Sequence, residues 1–175
     1  SAITGNPVVC VGSTTQLSDA VTGGTWSSSN SSVASVVAAT GLVTGVSTGG
    51  SPVITYTSAL GCYTTQAITV NALPAPITGV SNICVGATSP LTGSGAGTWA
   101  SANSSIASVT SGGVITGVAS GYTDICFTSN TTGCSVCKTT TVNLLPPVYA
   151  VSGGGGYCVG GTGVHIGITN STTGI

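Results

Sequence analysis

The sequence has almost no charged residues. It contains two aspartates, Asp19 and Asp124, one lysine, Lys138, and one histidine, His165, with no arginine, glutamate or methionine. Nucleic acids and anionic lipids are held by clustered Lys and Arg side chains, so we predict no nucleic-acid partner. An enzyme needs an acid, base or nucleophile set that these few groups can hardly furnish. We therefore predict no enzymatic activity and no cofactor.

Long apolar runs are absent as well. The most apolar stretch, residues 33–46, is interrupted by hydroxyl residues and glycines, whereas a spanning helix needs roughly 20 apolar residues. We predict no direct membrane insertion. Intrinsic disorder is also excluded, because disordered chains are poor in apolar residues and rich in charge. The abundant Val, Ile, Thr, Gly and Ser favour short strands and tight turns.

A repeat organises most of the chain. Residues 24–46, GTWSSSNSSVASVVAATGLVTGV, return one residue shorter as residues 97–118, GTWASANSSIASVTSGGVITGV. Further matches flank this pair, and short proline-containing stretches close each copy. We predict a first repeat at residues 1–74, a second repeat at residues 75–147 and the start of a third at residues 148–175. An unfinished unit exposes strand edges, so the third can be completed by a neighbouring chain.

Short strand-like segments follow one another within each repeat. Glycine and Ser/Asn clusters separate them, and nothing has helical periodicity, which is typical of an all-β protein built from β-sandwiches. Trp26 and Trp99 lie at matching positions of predicted strands, so we expect them in the cores. In the first repeat we predict strands near residues 8–11, 14–17, 24–27, 33–37, 42–46, 52–57 and 65–71.

Four cysteines occupy equivalent positions in the two repeats. Cys10 and Cys62 of the first repeat correspond to Cys84 and Cys134 of the second. We predict one disulfide in each repeat, Cys10–Cys62 and Cys84–Cys134, formed in an oxidising compartment. The alternative is metal binding by the motif from Cys134 to Cys137, but a zinc site needs a second ligand pair, and we predict no metal site.

The remaining cysteines are specific to the later part of the chain. Cys126 and Cys137 stand where the first repeat has Thr55 and Thr65, on either side of a predicted hairpin, so we predict a cross-strand disulfide. Four cysteines in one repeat allow three connectivities, which leaves other pairings open. Cys158 is unpaired in this sequence, and we expect its partner in the rest of the third unit or in another subunit.

Candidate glycosylation sites complete the inventory. The asparagines of Asn-x-Ser/Thr triplets are Asn30, Asn103, Asn130 and Asn170. Such triplets mark acceptors of N-linked glycans in secreted proteins. Two of them fall at the same point of the repeat, in a predicted turn. A chain rich in Ser and Thr also produces such triplets by chance.

The motifs of the repeat resemble a known family. The patterns TWSSSN-SSVASV, GLVTGV and ITYT are similar to the bacterial immunoglobulin-like domain, group 2. That resemblance implies tandem immunoglobulin-like β-sandwiches, as found in adhesins, surface-layer proteins and stalk proteins, with no activity of their own. The linkers and the run GGGGYCVGGTGV resemble the long repetitive surface proteins of Bacteroidetes-type bacteria. The paired cysteines depart from the plain family pattern.

From this resemblance we expect a structural extracellular protein at the cell surface. It would be the repeating unit of a bacterial surface filament, stalk or adhesin that self-associates through its β-sandwich domains. Its expected partners are neighbouring subunits or tandem repeats, with glycans as a further candidate. The alternative is a cell-adhesion or carbohydrate-binding module of a large surface adhesin.

Overall fold

The structure, a computed structural model, describes residues 2–148, 150–153, 159 and 166–168. The chain forms two compact units, Ser1–Asn143 and Leu144–Ile175, so both full repeats lie in the first of them. The finer division at residues 74 and 147 stays a prediction. All regular elements of the described part are β-strands, as the sequence predicts.

The first repeat forms eight short strands close to the predicted positions. Side-chain burial alternates along the strands; in the strand Val53–Thr57, for example, Ile54 and Tyr56 are buried, while Val53, Thr55 and Thr57 are half-buried. The one difference in number arises at Ile68, where the predicted last strand is divided in two. The strands are β1 (Val8–Cys10), β2 (Thr14–Gln16), β3 (Thr25–Ser28), β4 (Ala34–Val36), β5 (Leu42–Gly45), β6 (Val53–Thr57), β7 (Tyr63–Ala67) and β8 (Thr69–Asn71).

Two layers face each other in this repeat. One layer has the strand order β2-β5-β4, and the other contains β3-β6-β7 together with the pair β1-β8. The first segment contributes to both layers, because Thr4 bridges Ser18 in the first layer before β1 pairs in parallel with β8. The parallel register places Cys10 directly beside Asn71, at the end where both strands finish.

The second repeat has the same topology with longer strands. The strands are β9 (Thr78–Gly79), β10 (Asn82–Cys84), β11 (Thr88–Thr92), β12 (Gly97–Ser101), β13 (Ala107–Val109), β14 (Val114–Gly117), β15 (Gly121–Ser129) and β16 (Ser135–Asn143). The two sheets have the orders β10-β16-β15-β12 and β13-β14-β11-β9, and β10 pairs in parallel with β16.

Each repeat has its own hydrophobic core. Trp26 is buried in the first core, where its ring lies 4.7 Å from that of Tyr56. Trp99 packs against the second core, and its ring lies 5.0 Å from that of Phe127. Burial of aromatic side chains at these matching positions contributes much of the hydrophobic stabilisation of each sandwich.

A single hairpin-like pair is described in the second compact unit. Strands β17 (Val151–Gly153) and β18 (Ile166–Ile168) pair antiparallel. The alternation of apolar residues over 164–168 predicts a strand, and β18 lies within that range. Cys158 and Asn170 lie outside the described residues, so the predictions made for them stay predictions.

Candidate functional site: the junction between the repeats

A disulfide joins the two repeats. Cys10, at the end of β1, is bonded to Cys134, which lies in the loop between β15 and β16, and the two residues are 124 positions apart in the sequence. The Cys134 side chain is only 1% exposed. The β15–β16 loop, residues 130–134, therefore rests against the end of the first repeat, and the bond fixes it there.

Hydrogen bonds accompany this disulfide. The side-chain amide of Asn71 donates to the main-chain oxygen of Thr132, at 3.3 Å. On the linker side of the junction, the Ala75 main-chain N–H donates to Oγ of Ser94 in the second repeat, at 3.0 Å. The junction is thus held by one covalent bond and by polar contacts that involve neutral groups.

The loop that reaches across has a defined shape of its own. The N–H of Ser129 donates to the Cys134 oxygen at 2.9 Å, and the N–H of Gly133 donates to the Ser129 oxygen at 2.9 Å. The Cys134 N–H donates to Oγ1 of Thr132 at 3.3 Å. Because these bonds are internal to the hairpin, the cysteine is presented in a fixed position and little conformational entropy is lost on docking.

The prediction of one disulfide inside each repeat is wrong for this structure. Cys10 is bonded to Cys134 of the other repeat and not to Cys62 of its own. The parallel pairing of β1 with β8 places Cys10 beside Asn71, whereas Cys62 precedes the start of β7. Asn71 is nine positions after Cys62, which is about 30 Å of extended chain at the usual rise per residue. Cys10 and Cys62 therefore lie at opposite ends of the first repeat. A disulfide needs Cα atoms within about 7 Å of each other, so these two cysteines cannot be bonded.

The disulfide predicted between Cys126 and Cys137 is present in the structure. The two residues are directly opposite each other in the β15–β16 pairing. The equivalent residues of the first repeat, Thr55 and Thr65, are also directly opposite, in the β6–β7 pairing. A cross-strand threonine pair is therefore replaced by a covalent bond at the same place.

Two cysteines of the described residues are free. Cys62 is exposed, and Cys84 is half-buried. The prediction that both form disulfides within their repeats is wrong for this structure. Cys134 and Cys137 belong to two different disulfides, and no cluster of three or more His, Cys, Asp or Glu residues capable of holding a metal ion occurs in the described part of the chain.

The asparagines of the first three triplets, Asn30, Asn103 and Asn130, are exposed. The Oδ1 atom of Asn30 accepts hydrogen bonds from the N–H and the hydroxyl of Ser32, at 3.2 and 2.6 Å. Asn103 accepts the N–H of Ser105 in the same way, at 3.1 Å. These turns, in which a side-chain oxygen replaces a backbone acceptor, give the Asn-x-Ser spacing a structural reason.

The few charged groups serve the fold. Asp124 accepts the hydroxyl of Thr139 at 2.7 Å, and Lys138 donates to the main-chain oxygen of Gly79 at 2.7 Å. The free thiols of Cys62 and Cys84 are groups that can take part in thiol–disulfide exchange. Among the described residues, no helix has the length and apolar character required to cross a membrane.

Several solved structures are similar to the chain. Solved structures similar to the chain include a C-terminal intimin fragment in complex with the intimin-binding domain of its translocated receptor (17% identity, TM-score 0.42, covering 82% of this chain and 64% of that one). Others are invasin, a bacterial integrin-binding protein (15%, 0.43, 88% and 40%), and the S-layer protein SbsC (22%, 0.32, 79% and 25%). The chain thus spans a quarter to under two thirds of these relatives.

No curated protein matches the sequence. The family model described as bacterial Ig-like domain (group 2) matches residues 4–61 and 79–140, which together make up more than half of the chain. Each of the two matches falls on one of the two sandwiches. The chain belongs to the family of bacterial Ig-like domains, group 2.

Proposed function

We propose that this chain is part of a structural extracellular protein, a stalk or filament of tandem Ig-like sandwiches at a bacterial surface. The observation that carries the proposal is the Cys10–Cys134 disulfide. A bond between successive repeats restricts their rotation about the linker and holds them together. Disulfides also persist mainly outside the reducing cytosol, which supports an extracellular location.

The surface chemistry supports the same role. With two acidic groups and one lysine in the sequence, neighbouring chains experience almost no electrostatic repulsion when they pack side by side. Low net charge promotes association in solution. A self-associating structural protein benefits from this property, whereas a freely diffusing one does not.

Single-molecule pulling from the two termini tests the mechanical role. In the oxidised chain, tension passes directly from Cys10 to Cys134, so the intervening residues stay out of the loaded path. The sequence separation of 124 corresponds to about 45 nm of hidden contour length at roughly 3.6 Å per residue. The variant Cys10→Ser/Cys134→Ser should release that length on unfolding.

The matched control is Cys126→Ser/Cys137→Ser, which removes the other disulfide and should leave the released length almost unchanged. Equal extension of the oxidised protein and of the Cys10→Ser/Cys134→Ser variant would refute the tension-carrying role. Electron microscopy of native material, with antibody labelling of intact cells, tests the location. Ordered filaments support a filament subunit, dispersed flexible beads support an adhesin stalk, and absence of surface label contradicts both.

A further inference from the structure

The two free cysteines correspond to the two halves of the bond at the junction. Cys84 occupies in the second repeat the position that Cys10 occupies in the first. It pairs with Asn143 in β10–β16 as Cys10 pairs with Asn71 in β1–β8. Cys62 in turn occupies the position of Cys134. The junction thus has a strand half, the strand end that carries Cys10, and a loop half, the loop that carries Cys134. The second repeat has a strand half at Cys84 that is not bonded, and the first repeat has a loop half at Cys62 that is not bonded.

The strand halves share the same backbone hydrogen bond in the two repeats, and the loop halves share the bond that closes the hairpin. The N–H groups that follow the strand cysteines, those of Val11 and Val85, donate to the Asn71 and Asn143 oxygens at 3.0 and 2.9 Å. The loop halves also match: the Ser58 N–H donates to the Cys62 oxygen at 2.8 Å, as the Ser129 N–H donates to the Cys134 oxygen at 2.9 Å. The strand half at Cys84 is thus folded like its bonded counterpart. The loop at Cys62 is one residue shorter than the bonded loop: its Gly61 N–H donates to the Ser58 oxygen three residues back, whereas the Gly133 N–H donates to the Ser129 oxygen four residues back.

The asparagine beside each strand half has different side-chain hydrogen-bond partners in the bonded and the free case. The side chain of Asn71 donates to Thr132 of the loop that covers it. The equivalent Asn143 has no such loop among the described residues. Its side chain donates instead to the Asn82 side chain and, at 3.5 Å, to the Ile83 oxygen of its own repeat.

The unoccupied loop half is unusually apolar at its surface. Leu60, which stands at the position of Thr132, is 93% exposed, and Tyr63 is 74% exposed. Together with Cys62 they border an open cavity of about 390 Å³. Such an exposed apolar patch beside a free thiol is suited to burial against another protein surface.

We propose that Cys62 and Cys84 form the same inter-repeat disulfide with neighbouring repeats of this kind, so that the chain is linked head to tail at both ends. The loop at Cys62 docks on a repeat that presents a cysteine at the Cys84 position, and the strand end at Cys84 accepts a loop of the Cys62 type. A second copy of this chain presents both. This inference rests on the proposed structural function and names its partner.

The bond forms by thiol–disulfide exchange with a small-molecule disulfide, for example oxidised glutathione. One cysteine thiolate attacks this oxidant, which releases one molecule of thiol and leaves a mixed disulfide. The thiolate of the other cysteine then attacks the protein sulfur of that mixed disulfide and releases the second thiol. Two protein thiols are oxidised and one glutathione disulfide is reduced to two thiols, with the two protons passing to the released thiolates.

Complementary single variants test the proposal in the full chain, with Cys158→Ser as the background. Cys62→Ser and Cys84→Ser are each incubated alone, and then as an equimolar mixture, in a glutathione redox buffer. Each variant alone should stay monomeric on a non-reducing gel. The mixture should give a single dimer, and mass spectrometry of its peptides should show Cys84 of one chain bonded to Cys62 of the other. The background protein itself should give a ladder of oligomers.

Docking is separated from random thiol collision by a third variant. Leu60→Asp in the chain that retains Cys62 should slow dimer formation about tenfold, the effect of a modest loss of binding free energy. Dimers of Cys84→Ser alone, an unchanged rate with Leu60→Asp, or no dimer in the mixture despite titratable thiols would each overturn the proposal. The pulling experiment reads a bond within one chain, so its failure is distinguishable from failure here.

Discussion

Replacing Cys126 and Cys137 by threonine removes the disulfide within the β15–β16 hairpin and recreates the pair that the first repeat has at the same place, Thr55 and Thr65. The first repeat shows that this fold accepts threonine at both positions. The variant therefore isolates the contribution of the covalent bond, with little risk of a new steric conflict.

The expected loss follows from the size of the closed loop. The cysteines are 11 positions apart, and closing a loop of that size in the unfolded chain stabilises the folded state by about 3 kcal/mol in the chain-entropy model. A cross-strand threonine pair returns about 0.5 kcal/mol. We expect the free energy of unfolding of the second repeat to fall by about 2.5 kcal/mol.

Urea unfolding followed by tryptophan fluorescence measures this loss. Trp99 packs on the second core and Trp26 on the first, so Trp26→Phe makes the signal report the second repeat. For a domain of this size, 2.5 kcal/mol lowers the midpoint by roughly 2 M urea. Free energies should be extrapolated to water, because loss of a cross-link also raises the slope of the transition.

Trp99→Phe supplies the control, since Trp26 then reports the first repeat. Its free energy of unfolding should change by less than about 0.5 kcal/mol, as expected for distant sites. A loss below about 0.5 kcal/mol in the second repeat, or an equal loss in both repeats, would refute the loop-closure reasoning.

Two further substitutions act on the second core. Gly113→Ala should destabilise it by about 2 kcal/mol or more, since Gly113 has φ +81° and an added Cβ would lie 2.9 Å from Trp99. Gly112→Ala should be nearly neutral in the same urea assay, because its added Cβ would make only an ordinary contact, 3.8 Å from Oγ1 of Thr110. Thr140→Val should raise the free energy of unfolding by about 1 kcal/mol, and with it the melting temperature, because the fully buried Thr140 hydroxyl has no hydrogen-bond partner among the described residues. Exposed Thr141→Val is its control, and equal shifts for the two would contradict this account.

The sequence was sufficient for the fold because the repeat and the alternation of side chains are local signals. Trp26 lies in the first core and Trp99 packs against the second, at the matching strand positions from which core packing is predicted. The Cys126–Cys137 bond was predictable for the same reason: its partners face each other across one hairpin.

The Cys10–Cys134 bond could not be predicted in this way. Equivalent cysteines in two repeats are compatible both with a bond inside each repeat and with a bond from one repeat to the next. The choice depends on the ends of the sandwich at which the cysteines lie. That placement follows from the parallel pairing of β1 with β8, a long-range feature without a local sequence signal. The exposure of Leu60 could likewise not be predicted, because it depends on where the structure places the loop.

The disulfide between the repeats also changes what a peptide-bond break would do. Between Asn71 and Ile77 the two sandwiches are joined by a short exposed linker, the kind of segment that proteases cleave first. Because Cys10 and Cys134 provide a second covalent route across the same junction, a single cut in the linker leaves both halves attached. A chain built in this way tolerates hydrolysis of its linker, and its two repeats separate only where proteolysis and reduction occur together.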